Sequence, residues 1–195
     1  MNVQPVRLEG PSLVLDPLTP EHAAVLFPKT DPDLFLHTLE WPRDASAEAF
    51  ADWVRHSLAM PAALLFIILV KPDLEPVGMT GYLDIRAHHR GLEIGRTWIA
   101  KSHQGTRINP ESKYLLLRHA FEELGAARVQ FKTDVHNLQS QRAIEKLGTQ
   151  REGVLRRYQV RSNGFVRDTM VFSLIAEEWP QAKAGLEARL GMGRP

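Results

Sequence analysis

Residues 92–135, LEIGRTWIAKSHQGTRINPESKYLLLRHAFEELGAARVQFKTDV, change hydrophobic period twice, and those changes decide the fold. From Leu92 to Ala100 apolar and β-branched residues make a strand. Asn109-Pro110-Glu111 then supplies a capping Asn, a proline at the first helical position and an acid at the positive end of the helix dipole. Tyr114, Leu116, Leu117, Ala120, Phe121 and Leu124 recur at helical spacing as far as Gly125, which is suited to end the helix in a left-handed conformation. From Arg128 the period falls to two: Val129, Phe131, Thr133 and Val135 lie on one face, Arg128, Gln130, Lys132 and Asp134 on the other. One face of this strand is therefore expected to be wetter than the other. Strand, helix and strand in such close succession imply a right-handed crossover between parallel neighbours.

The flanks extend this frame. Residues 6–18 read as an edge strand with a Gly10-Pro11 turn. A helix follows the Thr19-Pro20-Glu21 cap and carries Ala23, Ala24, Leu26 and Phe27. A second opens at Ser46, with Glu48 nearby and Phe50, Trp53, Val54 and Leu58 at helical spacing. Strands over 63–70 and 77–85 are joined by connections short enough for an antiparallel meander. Downstream, a short helix over 137–147 buries Ala143, Ile144 and Leu147 and stops at Gly148. Strands 153–160 and 165–174 flank the turn Ser162-Asn163-Gly164, and a last amphipathic helix from about Ala176 carries Trp179, Leu186 and Leu190. The sheet is mixed, an α+β arrangement. Ligands of such sheets favour the carboxyl end of a strand that feeds a helix, here Ile99 to Asn109.

Composition narrows the function. The 195 residues are 44% hydrophobic and 24% charged with a net charge of +1, the balance of a globular chain and not of a dedicated duplex-DNA binder, so nucleic acid is not an expected partner. The chain has 0 cysteines, which excludes disulfides, thiolate zinc sites and a cysteine nucleophile, and suits a reducing cytoplasm. The longest apolar run, 62–70, is less than half a membrane span, and residues 1–10 lack the apolar centre of a signal peptide. A cytoplasmic location without a membrane partner is expected. No repeat or linker divides the chain, so a single domain over 1–195 is expected.

The segment from Ile99 to Asn109 is small, polar and basic, and it opens a helix whose first N–H groups lack partners. That combination suits a phosphate, with Gly105 allowing close approach and Arg107 adding charge. In this setting the chain resembles the GNAT superfamily of acyl-CoA-dependent N-acyltransferases, whose pattern here is Gln or Arg, two residues, Gly, one residue, then Gly or Ala. Gln104 fits the first position. Arg107 and Asn109 stand where that pattern has its Gly and its Gly or Ala. A second stretch, Asn137-Leu138-Gln139-Ser140 through Leu147-Gly148 to Glu152-Gly153-Val154-Leu155-Arg156, is similar to the RimJ/RimL-like branch. The resemblance implies a twisted sheet of six to seven mostly antiparallel strands flanked by four to five helices, with one parallel pair splayed around the cofactor. It implies acetyl-CoA as co-substrate and no metal. The pantetheine would run beside Trp98, Ile99 and Ala100, and the pyrophosphate would rest on Gln104, Gly105, Thr106, Arg107, Ile108 and Asn109. Asn137 and Ser140 would approach the pantetheine and the sulfur.

Amine acetylation needs a base, an oxyanion donor and a proton source for the leaving thiolate. Glu93 stands where relatives often carry a base; the plainer reading is a solvated strand carboxylate. By resemblance Ser140 is the hydrogen-bond donor to sulfur, against the plainer reading of a helix-start residue, and Ile144 occupies the position where many relatives have tyrosine. The oxyanion donor would be a backbone N–H near Ile99. His88-His89 reads as an exposed turn, His103 as a neighbour of the loop, and Trp41 as a loop anchor or part of the acceptor pocket. The basic series Arg142, Lys146, Arg151, Arg156, Arg157, Arg161 and Arg167 reads as a solvated face or a contact for anionic groups. The leading expectation is direct transfer of acetyl from acetyl-CoA, in a ternary complex, to a protein N-terminus or a small-molecule amine. The alternatives are a non-catalytic acyl-CoA-binding regulatory domain and, more weakly, an RNA-associated module. A homodimer is left open.

Overall fold

In the computed structural model, which describes residues 1–192, the apolar runs pair into one eight-stranded sheet. Its strands are Leu8–Glu9 (β1), Leu13–Pro17 (β2), Leu64–Val70 (β3), Glu75–Arg86 (β4), Gly91–Ile99 (β5), Arg128–Asp134 (β6), Gln150–Val160 (β7) and Val166–Ile175 (β8). They lie side by side in the order β1-β2-β3-β4-β5-β6-β8-β7. Only β5 and β6 are parallel. The helices are His22–Leu26 (α1), Ala47–Leu58 (α2), Ile108–Arg118 (α3, continued by a π turn over His119–Glu123), Leu138–Glu145 (α4) and Trp179–Leu190 (α5).

The strand count exceeds the expected six to seven because residues 6–18 are two strands. The Gly10 N–H closes on the Leu13 carbonyl at 2.9 Å, and the chain doubles back, pairing Leu8 with Leu15. The helix starts also differ in part from expectation. Ser46 caps α2 as its position implies, accepting the Ala49 N–H at 3.1 Å. Thr19 does not cap α1; its own N–H donates to His22 Nδ1 at 3.0 Å. Past Leu26 that helix tightens into a 3-10 turn, Phe27–Lys29, around Pro28, which has no N–H to continue an α-helix. Asn109 is not the cap of α3, which begins one residue earlier. The Ile108 N–H is taken by Thr106 Oγ1 at 3.3 Å instead.

Both faces of the sheet are covered. On one, Leu92, Ile94, Leu115, Leu116, Phe131, Phe172 and Trp179 join α3 and α5 to the strands. On the other, Leu26, Phe50, Trp53, Ile67, Met79 and Trp98 join α1 and α2. Each such side chain contributes about 1.5–3 kcal/mol on leaving water. The polar face of β6 is the wetter one, as expected, but only in part: Arg128 and Lys132 are half-buried, and Gln130 and Asp134 on the same face are buried. Their polarity is satisfied internally. Gln130 Nε2 donates to Asp84 Oδ2 at 3.0 Å, and the Asp134 carboxylate accepts from Arg161 and from the His136 N–H at 2.8 Å.

Asp134 anchors more than its own strand. Arg161, at the tip of the β7–β8 hairpin, also donates from Nη1 to the Leu36 carbonyl at 2.8 Å; the Ser162 N–H donates to the Leu39 carbonyl at 2.9 Å, and Arg167 Nη1 to the His37 carbonyl at 3.3 Å. The connection between α1 and α2 is thereby tied to the hairpin through one fully buried carboxylate. Burial pushes the Asp134 proton affinity up, but the His136 N–H and the two guanidiniums outweigh it and hold the carboxyl below its ordinary value. A depressed carboxyl stabilises the fold above its unfolded pKa and loses that contribution as pH falls through the folded value. We expect Asp134→Asn to cost about 3 kcal/mol at neutral pH, since it strands two buried cations. In urea unfolding the gap from wild type should narrow as pH drops below the aspartate range; a pH-independent gap would refute the ion-pair account.

Candidate functional site

The parallel pair holds register over three residues only, Gly91 with Arg128, Leu92 with Val129 and Glu93 with Gln130. Beyond them β5 stays with β4 as far as Ile99, while β6 stays with β8 as far as Asp134. The two strands part, and among the described residues no ladder joins 94–99 of β5 to 131–134 of β6. From Glu93 to Ile99 the free edge of β5 runs about 20 Å at strand rise. Because the strands are parallel, their carboxyl ends share one rim of this opening. The loop 100–107 and the start of α3 follow β5 there, and the start of α4 follows β6. Fold topology thus brings the Gln104–Asn109 group and the Asn137–Ser140 group, far apart in sequence, to the two sides of one mouth.

On the β5 side, Trp98, Ile99 and Ala100 are buried. The Ala100 N–H donates to the Val77 carbonyl at 2.7 Å, and Trp98 packs edge-on to Phe50 with its Nε1 buried and unpartnered. A side chain at Gly78 would meet the Trp98 carbonyl at 2.2 Å, so only glycine lets β4 pass this close. In the loop, Gln104 Nε2 donates to the Ile99 carbonyl at 3.1 Å, and Thr106 Oγ1 to the His103 carbonyl at 2.7 Å. Gly105 has φ +74°, and a Cβ placed there would meet no atom within 4 Å, so its requirement is the left-handed backbone and not room. Arg107 is partly committed: Nε donates to Glu111 Oε2 at 3.1 Å and Nη2 to the Leu190 carbonyl at 3.1 Å, which ties α3 to the end of α5. Asn109 leaves its Oδ1 buried and, among the described residues, without a partner in the first turn of α3.

On the β6 side, Asn137 Oδ1 accepts the Ser140 N–H at 3.0 Å and caps α4. The cap is therefore Asn137, and the half-buried Ser140 is left with a hydroxyl that bonds to nothing among the described residues. Ile144 is buried in the core. His88 and His89 sit in an exposed 3-10 turn, away from the opening.

Glu93 lies at the apex, where the ladder ends. Its carboxylate is 12% exposed and stands 3.0 Å from the Lys132 Nζ on β6. This is not the solvated strand carboxylate of the plainer reading. Burial raises its proton affinity, and the neighbouring ammonium only partly offsets that. For Lys132, burial pulls the pKa down while Glu93 raises it, and the net shift is upward. Sequence reading missed Lys132, since the alternation of β6 places it on the face expected to be solvated. It also missed Arg96. That residue takes φ +50° in β5 and reaches the α2 face, where Nε donates to Ser57 Oγ at 2.8 Å, Nη2 to Glu40 Oε2 at 3.3 Å, and the guanidinium lies over Trp53. Beside it Glu40, Trp41, Trp53, His56 and Ser162 line an open groove of about 280 Å³.

Comparison with known proteins is consistent across sequence and structure. Residues 12–150 match the family described as the acetyltransferase (GNAT) domain. A solved candidate acetyltransferase from T. thermophilus is 40% identical, with a TM-score of 0.92, and the match covers 97% of this chain and 100% of that one. An uncharacterized N-acetyltransferase of Bacillus licheniformis, p20, is 30% identical over 114 residues, 58% of this chain and 63% of its own length. YdaF of Bacillus subtilis, described as a candidate ribosomal N-acetyltransferase, is 34% identical over 106 residues, 54% of this chain and 57% of its own length. The chain thus spans somewhat more than half the length of these curated relatives.

The apex pair is directly testable. In a carbon-13 NMR titration the Glu93 carboxyl should titrate above the usual 4.5, and Lys132→Met should move its midpoint further up, because the ammonium that lowers it is gone. An unmoved midpoint would show that the two groups are not coupled.

Proposed function

We infer, from the premise that this chain belongs to the GNAT acetyltransferase family, that it acts as one acyl-transfer domain moving an acetyl group from acetyl-CoA to a primary amine. The observation that carries this reading is the three-residue parallel ladder, which leaves a β5 edge open between two helix starts. An extended amide-bearing chain adds to such an edge as a further strand would. The rims fit the remainder of the group. Gly105 turns the loop toward α3, and the N–H groups of Gly105, Thr106, Arg107 and Asn109, which meet no backbone acceptor among the described residues, suit a diphosphate. Bound there, acetyl-CoA supplies an activated thioester.

The chain's own residues then divide the work. Trp98, Ile99 and Ala100 hold the pantetheine through their backbone, with an N–H near Ile99 facing the carbonyl oxygen. Gln104, Gly105, Thr106, Arg107, Ile108 and Asn109 carry the phosphates, Arg107 through whatever its guanidinium has left beside Glu111 and Leu190. Asn137 orients the start of α4, and the Ser140 hydroxyl donates toward the sulfur. Glu93 takes the proton from the acceptor ammonium, directly or through a water. Its raised proton affinity suits that role better than an ordinary carboxylate would, because a base works best when its pKa approaches the working pH. Without cysteine there is no thiol to carry the acetyl group, and attack within a ternary complex is the simplest route.

The acceptor is a protein N-terminus or a small-molecule amine. The motif from Asn137 to Arg156 and the likeness to YdaF favour the RimJ/RimL-like branch and so a protein N-terminus. The groove at Glu40, Trp41 and Trp53 is aromatic and opens beside Arg96 on the α2 face of β5, and we place the acceptor there. A cytoplasmic enzyme is in keeping with the chain, in which no described helix is long and apolar enough to cross a membrane. The second reading, a non-catalytic acyl-CoA-binding regulator, draws on Arg107 and Asn109 at glycine positions and on Ile144 in place of tyrosine.

Thiol release from acetyl-CoA with a panel of amines and N-terminal peptides separates the two. Turnover on any acceptor supports the enzyme, and tight binding of CoA without turnover supports the regulator. If Glu93 is the base, Glu93→Gln should lower kcat/KM about 100-fold near neutrality and remove the acidic limb of the pH profile, where the wild-type rate falls as the carboxylate gains its proton. Ser140→Ala should lower kcat roughly tenfold with little change in CoA affinity. A wild-type pH profile in the first variant, or wild-type kcat in the second, removes that residue from the mechanism.

A further inference from the structure

Lys113 lies on α3 with its side chain buried, and no carboxylate meets it among the described residues. Its Nζ donates to Thr80 Oγ1 on β4 at 2.7 Å and to Thr97 Oγ1 on β5 at 2.5 Å, while the two hydroxyls are 2.8 Å apart. These threonines mark a break in the β4–β5 register. Gly81 pairs with Gly95 and Met79 with Trp98, so Thr80 alone faces both Arg96 and Thr97. This is a β-bulge, a device that bends a strand and re-aims its side chains. Arg96, at φ +50°, leaves it toward Ser57, Glu40 and Trp53 on the α2 face. Lys113 grips it from the α3 face. The gripped segment begins three residues after the β5–β6 ladder ends, so it forms the β5 wall of the opening.

An ammonium buried without a carboxylate is a cost to folding, and here burial lowers its pKa to about 7. A methionine of similar length would fill the same space without that cost, and the two threonine hydroxyls could still bond to each other. Burial of the lysine is thus costly beside an apolar side chain; what it adds is a fixed three-point tie beneath the bulge. Polar ties of this kind, unfavourable for stability, are found where local shape serves a site.

We propose that Lys113 is a positioning residue for acetyl transfer: by holding Thr80 and Thr97 together it sets the direction in which the β5 backbone from Arg96 to Ile99 faces the opening. The functional half of this statement rests on the acetyl-CoA reading above; the structural half does not.

The test compares the full-length wild type with Lys113→Met and Thr97→Val, measuring thermal unfolding, amide hydrogen exchange over residues 95–99, and the Kd for CoA. We expect Lys113→Met to raise Tm by a few degrees, to speed exchange of the 96–99 amides at least tenfold, and to weaken CoA binding about tenfold. Thr97→Val removes one arm and leaves the lysine amine in place; it should shift exchange and Kd in the same direction, and the double variant should do no worse than Lys113→Met alone. It also decides the question if Lys113→Met does not fold. Wild-type exchange and wild-type Kd in both variants would overturn the proposal. A wild type that binds no CoA would defeat the acetyl-CoA reading instead, and exchange would still decide whether Lys113 holds the bulge.

Discussion

The short parallel contact between β5 and β6 is the constraint on which the rest of this protein depends. A parallel pair requires a crossover, and α3 with its entry loop is that crossover. Each of the two strands has a stronger allegiance on its other side, β5 to the meander of β2 to β5 and β6 to the β7–β8 hairpin. Twist in the two antiparallel halves draws them apart once the shared ladder ends at Glu93. The opening thus follows from competing pairings, together with the bulge opposite Thr80 that bends β5 just beyond the ladder. Its position also puts the loop after β5 and the helix after β6 on a common rim.

Charge is arranged around that opening very differently from its distribution along the chain. The basic series after Arg142 looks continuous in sequence, yet the fold disperses it. Arg151 pairs with Glu145, and Arg161 and Arg167 close on Asp134. Arg156 and Arg157 are exposed on β7, which lies beyond β8 and away from β5. Along β5 the charges beside the opening are largely out of water: Glu93 with Lys132 at the apex, Arg96 on the α2 face, and Lys113 on the α3 face.

The fold was legible where local rules act alone. Ser46 capped its helix, the Ser162-Asn163-Gly164 turn made its hairpin, and the meander followed from short connections. The differences arose where a neighbour changed the outcome. Thr106 accepts the Ile108 N–H where α3 begins and Asn109 caps nothing, and Thr19 gives its own N–H to His22 instead of capping α1. Of the candidate site, the loop and the Asn137–Ser140 group are proposed from resemblance. Lys132 could not, because alternation assigned it to a solvated face.

The sequence by itself determined the elements, their order and the family pattern, because hydrophobic period, turn chemistry and spaced motifs are properties of neighbouring residues. It also determined that no cysteine could take part. Only the tertiary structure decided which side chains meet. Asp134 with Arg161, Glu93 with Lys132, and Lys113 with Thr80 and Thr97 are contacts between elements far apart in the chain. Their burial, and so their chemistry, depends on a second face of the sheet that no local pattern contains.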